Sequence, residues 1–200
     1  MRGSAFVACV VGCLPLLLAA CTTQRATSPQ RTATEELLIS TAADRAAAKL
    51  AEGIPTDIKV FLDTANIAGP DAGYAALTIR DCLLRRGVLL VADRTMADAI
   101  IEVRSGSLST DEHSIFLGTP DLPIPGVPGL TGGFLVPSLN LFKRAEAKAT
   151  AKFAATGYDP KTGKLVIATD PQFGNSQKID WSIFLFFSWT DEDYLPPDKR

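Results

Sequence analysis

Between Gly118 and Pro137 the chain reads GTPDLPIPGVPGLTGGFLVP, five prolines and five glycines in 20 positions with Asp121 as the only charge. Proline has no N–H and holds φ near −65°, so neither a helix nor a central strand can run through this stretch. It is expected to be a long connection, polyproline-like over Pro120 to Pro128, dividing the chain into two parts. Loops of such length are usually functional or disordered. Leu122, Ile124, Val127, Leu130 and Phe134 argue against full solvation. The segment therefore either closes one face of a sheet, docks a partner, or dips into a membrane interface.

The part before it alternates helix and strand signals. Thr32 stands three residues ahead of Glu35, a capping-box pattern, and Ile39, Ala42, Ala43, Ala46 and Leu50 follow at helical spacing. Gly53 and Pro55 stop that helix. Asp57 to Asn66 reads as a strand around Val60, Phe61 and Leu62. After the Gly69-Pro70-Asp71 turn, a second helix puts Ala72, Ala75, Ala76, Ile79, Cys82 and Leu83 on one face and ends at Gly87. Val88 to Ala92 predicts a solid apolar strand covered on both faces. Ala97 to Ser107 predicts another, with Ile101 and Val103 opposed to Glu102 and Arg104.

The part after it looks like strands. Ala147 to Gly157 alternates small apolar residues with Lys148, Thr150 and Lys152, although its Ala/Lys content also suits a helix. Tyr158 to Gly163, YDPKTG, is a hairpin turn and favours the strand. Leu165 to Ala168 returns from it. Trp181 to Trp189, WSIFLFFSW, is apolar on both faces and predicts a central strand.

The amino terminus concerns address rather than fold. Ala5 to Ala20 is near the lower length limit for a spanning helix, but Gly12 and Pro15 break it, and it closes on small residues as cleaved leaders do. Leu18-Ala19-Ala20-Cys21 resembles the lipobox of bacterial lipoproteins. That resemblance implies cleavage before Cys21, acylation of Cys21, and, with Thr22 rather than aspartate following, the outer membrane facing the periplasm. Each buried methylene adds about 0.8 kcal/mol, so two or three acyl chains anchor durably. Losing residues 1–20 leaves 180 of the 200 residues and moves the net charge from −2 to −3, no footprint for nucleic acid. Cys82 is then the one free thiol, so no internal disulfide forms.

Catalytic and metal chemistry find little support. The single histidine, His113, lies in Thr110-Asp111-Glu112-His113-Ser114. Neighbours on a strand face opposite ways and cannot converge, so His113 is expected on the surface near a turn. No G-x-S-x-G elbow, Walker loop or EF-hand spacing is present, and one His with one thiol falls short of an ordinary zinc site. No cofactor is expected. Cys82 is expected packed and inert. Asp63 and Asn66, at a strand end, could line a cleft but more often cap a helix.

The stretches TATEELLISTAADRAAAKL, KVFLD, ADAIIEVRSGSLSTDEHSIFLGTPDLPIP and YDPKTG resemble a family of uncharacterised bacterial lipoproteins over Thr32 to Trp189. The helix–strand–helix–strand pattern followed by ADAIIEV is more distantly similar to the small α/β domains of curli-secretion and flagellar outer-membrane lipoproteins. Neither likeness implies a reaction. The expected fold is α/β (α+β): one two-layer domain over 32–190, a mixed sheet with two N-terminal helices on one face and a C-terminal hairpin and strand region. It follows a leader (1–20) and a polar tether (21–31) and ends in a solvated tail (191–200). The expected role is a non-catalytic outer-membrane scaffold or adaptor. It would touch an envelope protein through Leu122, Ile124, Val127, Leu130 and Phe134. A carrier of an apolar ligand or lipid, walled by Trp181, Phe184 and Phe186, is the second reading. A hydrolase using His113 with Asp111 is the third.

Overall fold

A computed structural model describes residues 31–119, 122–124, 134–136, 139–184 and 186–195. Helix α1 (Ala33–Glu52) starts where Thr32 Oγ1 accepts the Glu35 N–H at 3.2 Å, with Glu35 and Glu36 in the first turn facing the positive end of the helix dipole. Its buried stripe is mostly alanine: Ala42, Ala43, Ala46 and Ala47 between Leu38, Ile39 and Leu50. Strand β1 (Lys59–Asn66) follows, then helix α2 (Ala72–Arg85), whose Ala75, Ile79 and Leu83 are buried. Gly87, at φ +91°, takes the left-handed conformation that ends this helix. Strand β2 (Leu89–Leu90) and a 3-10 turn (Arg94–Met96) lead into β3 (Ala99–Thr119).

The second half is antiparallel. Strand β4 (Leu122–Ile124) pairs with β5 (Phe134–Val136) as a separate two-stranded ribbon. Strand β6 (Leu139–Tyr158), β7 (Leu165–Ala168), β8 (Gln172–Ile183) and β9 (Phe187–Glu192) complete a seven-stranded sheet ordered β2-β1-β3-β6-β8-β9, with β7 beside the far end of β6. Pairing of β1 with β2 and β3 is parallel and the rest is antiparallel. The expected mixed-sheet α+β domain is thus the observed one. The β6–β7 hairpin is also where expected: Gly163 (φ +68°) donates its N–H to Asp159 O at 2.8 Å, and Asp159 Oδ1 accepts the Lys161 N–H at 2.7 Å.

One glycine explains the alanine face. Where α1 crosses β8, a Cβ added to Gly174 would stand 2.0 Å from Ala42 O and 2.6 Å from Ala46 N. Helix backbone and strand backbone touch there, which only small residues on both sides permit. Polar bonds fix the crossing. The buried Ser176 hydroxyl donates to Leu38 O at 2.6 Å, and Lys49 Nζ donates to Phe173 O at 2.7 Å. Arg45 donates to Asn175 O and, at 2.9 Å, to Asp193 Oδ2.

The helices are too short for the sheet. Strand β3 has 21 residues and β6 has 20, about 65–70 Å at ~3.3 Å per residue. Helix α1, with 20 residues, spans only about 30 Å. Burial on the helix side accordingly stops at Leu108 on β3, Ala149 on β6 and Ser176 on β8. Beyond those residues β3, β6, β8 and β9 continue as a ribbon that, among the described helices, only the first turn of α1 reaches.

Several expectations need correction. Strand β2 is two residues long at the sheet edge with Leu89 51 % exposed, not a strand covered on both faces: among the described elements it pairs only with β1. The strand expected over 97–107 continues to Thr119, since Gly106 forms a bulge in the ladder with β6 rather than an end. His113 therefore sits mid-strand, not near a turn. WSIFLFFSW is no central strand: it folds back as the β8–β9 hairpin at the outer edge. Within the run expected as polyproline-like, Leu122–Ile124 pairs with a strand; a lone two-stranded ribbon is all edge, where Pro123 is tolerated. Finally, residues 191–194 are docked rather than solvated. Asp191 and Glu192 pair with β8, Asp193 binds Arg45 and accepts the Gln177 N–H at 2.8 Å, and Tyr194 packs on the core.

Candidate functional site

Strand register sorts the ribbon into two faces of opposite character. On the helix side the cross-strand rows are Glu112, Ala147, Lys178 and Glu192, then Ser114, Ala145, Asp180 and Thr190. These two rows are polar and internally paired, and the row beyond them holds Phe116, Lys143, Ser182 and Ser188. Lys178 Nζ lies 2.8 Å from Asp180, and the Thr190 hydroxyl donates to Asp180 at 2.6 Å. Partial burial works against the Asp180 charge, but Lys178 and Thr190 still hold its carboxyl below the usual range; the Asp180 bond holds Lys178 above its own. An open cleft of about 480 Å³ forms here, lined by Thr32, Thr34, Glu112, Ser114 and Asp180 among others.

The open face changes character along its length. Its rows run Asp111, Lys148 and Gln177; His113, Glu146, Ile179 and Asp191; Ile115, Arg144, Trp181 and Trp189; and last Leu117, Phe142, Ile183 and Phe187. The two final rows are apolar except for Arg144. Trp181 and Trp189 stack with centroids 5.9 Å apart, Phe142 meets Trp181 edge-on at 6.0 Å, and the Arg144 guanidinium lies 5.2 Å over Trp181. Arg144 is itself held by Glu146 at 2.7 Å. This is a built surface, yet solvent reaches it: Ile115 is 57 %, Leu117 63 %, Phe187 67 % and Trp189 49 % exposed.

The β8–β9 turn follows the last of these rows. Phe184 adopts φ +49°, the one positive φ of a non-glycine among the described residues, and with Phe186 it stands 60 % and 85 % exposed. Left-handed backbone costs a non-glycine residue roughly 1–2 kcal/mol. The turn thus keeps a phenylalanine where glycine would fit the backbone better, with two phenyl rings left to water.

The residues singled out from sequence fall as follows. Cys21, Val127 and Leu130 lie outside the described residues; Leu122, Ile124 and Phe134 belong to the β4–β5 ribbon. His113 is exposed on the open face opposite Glu146, whose carboxylate is committed to Arg144. Asp111 shares that face, while Glu112 and Ser114 point the other way, so the four are not brought together. Asp63 pairs with Arg94 and accepts the Ala65 N–H at 3.0 Å; Asn66 is exposed at the end of β1. Cys82 is half-buried against the core, and that burial pushes its thiol pKa up, away from the reactive thiolate. Among the described residues no group of three or more His, Cys, Asp or Glu side chains could hold a metal, and no helix is long and apolar enough to cross a membrane.

Sequence reasoning found Trp181, Phe184 and Phe186 but missed their companions Ile115, Leu117, Phe142 and Phe187. The available signal was the two-residue period of His113, Ile115 and Leu117, carried past the expected strand end. The string WSIFLFFSW also reads almost the same in both directions, and the register duly sets Trp181 against Trp189, Ser182 against Ser188 and Ile183 against Phe187.

Residues 16–183 match the model of a family of unknown function (DUF6655), and the chain belongs to that family. No curated protein matches it.

Proposed function

We propose that this member of the family is a lipoprotein cleaved before Cys21, acylated there, and held at the periplasmic face of the outer membrane as a non-catalytic binding domain. The observation that carries the reading is the end of the sheet that no described helix covers on its open face, where ordered aromatic rows meet solvent at Phe187 and Trp189. Contiguous exposed apolar patches on otherwise well-packed domains mark interaction sites. The anchor is supported by Leu18-Ala19-Ala20-Cys21, which lies within the residues matched by the family.

A scaffold or adaptor suits this surface better than the alternatives. A carrier needs an enclosing wall, whereas Phe184 and Phe186 project outward. A hydrolase would need His113 oriented by a carboxylate beside a nucleophile, and Asp111, two residues along the same strand, makes no such arrangement. Intact mass spectrometry of protein from native membranes tests the address: a polypeptide starting at Cys21 with added acyl mass is expected, and one starting at Met1 refutes it. Photoreactive residues at Ile115 and at Arg104, in cells, test the surface. Adducts from Ile115 and none from Arg104 are expected; equal labelling refutes the assignment.

A further inference from the structure

The chemistry of the distal rows and their position in the chain say what covers them. We infer that the distal open face rests on the bilayer to which Cys21 ties the chain, with Trp181, Trp189, Phe187, Ile115 and Leu117 seated at the lipid interface. The inference rests on the lipoprotein reading above and names the partner of the same surface.

The residue types are those that favour an interface between lipid and water. Tryptophan and phenylalanine offer large apolar area, the indole N–H and the Arg144 guanidinium suit the headgroup level, and both tend to collect there. The apolar character is concentrated on that face. On the helix side the last row carries Lys143, Ser182 and Ser188 with a single aromatic, Phe116, and the row before it Ser114, Asp180 and Thr190. A ribbon of this kind can lie on a surface, as amphipathic interfacial elements do, without crossing it. The net charge of −3 left after cleavage before Cys21 gives no overall attraction to anionic lipid, so such contact is apolar, as this face is.

Chain geometry supplies the second argument. Arg31 is pinned by two bonds to Asp71, at 2.7 and 2.9 Å. Thr32 and Thr34, at the start of α1, line the cleft with Ala145 and Asp180. Those two residues form the register pair next to Arg144 and Trp181. The chain thus enters the domain on the helix side, one to three residues along the strands short of the tryptophan row, and α1 runs from there away from the tip, over Ser176 and then Phe173. Ten peptide links separate Cys21 from Arg31, a reach of at most about 35 Å. The last open-face row lies only two residues beyond the tryptophan row, about 7 Å along the strand. An anchor at Cys21 therefore keeps the distal end within reach of the membrane and lets the helices and the β6–β7 hairpin extend away from it.

The chain has two tryptophans, Trp181 and Trp189, so its intrinsic emission reports this surface directly. The full-length acylated protein is reconstituted in phosphatidylethanolamine–phosphatidylglycerol vesicles, with or without bromine on the acyl chains. Brominated lipid is expected to remove most of the tryptophan emission. The double variant Ile115→Asp, Phe187→Asp changes two exposed side chains, so its far-UV spectrum should match wild type. It is expected to recover the emission while still floating with the vesicles. Flotation with unquenched wild-type emission overturns the inference and leaves the anchor standing. Failure to float overturns the lipoprotein reading, and the inference with it. A photoreactive residue at Trp189 that captures a protein rather than lipid in cells also overturns it, and gives the face to a protein partner.

Discussion

Replacing Gly174 by alanine tests the packing on which the whole domain depends. The added Cβ would lie 2.0 Å from Ala42 O, whereas ordinary contacts begin near 3.4 Å, so α1 must withdraw by about 1.4 Å. The obstacle is helix backbone, which cannot rotate aside as a side chain can. A gap of 0.5–1 Å already forfeits about a quarter to a half of the contact energy. Leu38, Ile39 and Leu50 are each at most 2 % exposed on this interface, and burial of each contributes about 1.5–3 kcal/mol. Half of that sum is about 2–4 kcal/mol, a large share of the 5–15 kcal/mol typical of a domain. Urea unfolding followed by far-UV circular dichroism measures it. The control is Gly73→Ala in α2, where nothing lies within 4 Å of the new Cβ and the helix should gain about 1 kcal/mol. If Gly174→Ala unfolds within about 1 kcal/mol of wild type, the inferred close crossing is wrong.

Ser176→Ala removes the buried hydroxyl bonded to Leu38 O at 2.6 Å and should cost about 1 kcal/mol in the same urea assay; no loss would mean that the bond is not formed. Phe184→Gly relieves the left-handed backbone at φ +49° and should raise the thermal midpoint, by up to about 1–2 kcal/mol of stability; a lower midpoint would show that the phenyl ring packs in the free protein. The Lys178–Asp180 pair sets a pH window. Asp180 titrates below its usual 3.8 when folded, so its contribution is present above that value and lost as pH falls through the depressed pKa; Lys178 is raised from 10.5, so its contribution is present below that value and lost as pH rises through the raised one. Asp180→Asn should flatten the acid limb of stability against pH, and an unchanged limb would refute the assignment.

The elements that were legible in sequence are those whose local signals and tertiary packing agree. Thr32 and Glu35 mark a cap, the alanine stripe marks a buried face, and YDPKTG marks a turn; each does in the fold what its residue types dictate. Misreadings arose where length or position in the sheet decided. Val88 to Ala92 is apolar enough for a central strand, but nothing in its own residues says that the chain places it at an edge. The strand expected over 97–107 is in fact longer, because the irregularity at Gly106 is a bulge and the ladder with β6 resumes beyond it. The aromatic surface was only partly legible because its rows draw on β3, β6, β8 and β9, and no single segment shows more than a few of its members. The small-residue crossing was legible from the α1 side alone: Ala42 and Ala46 call for a close partner, but the glycine that answers them is more than a hundred residues away.

The two edges of the sheet are protected in different ways, and the difference bears on what the distal surface does. An exposed edge strand invites pairing with another chain unless it is short, charged or covered. Strand β2 is two residues long, which is protection enough. Strand β9 has six residues, and its inner end is guarded by charge at Asp191 and Glu192, with Asp193 clamped by Arg45 just beyond. Its outer end, Phe187-Ser188-Trp189, has no charge, no proline and no covering element among the described residues. That stretch is aromatic and, among the described strands, unpaired on one side, a combination that natural sheets avoid at a free edge. Its retention beside a strained turn that adds Phe184 and Phe186 fits an edge that is covered where the protein works. An aspartate at Ser188 should therefore leave folding intact but weaken whatever contact the distal face makes. Self-association of the wild-type soluble domain that this aspartate abolishes would instead point to a second copy of the chain as the cover.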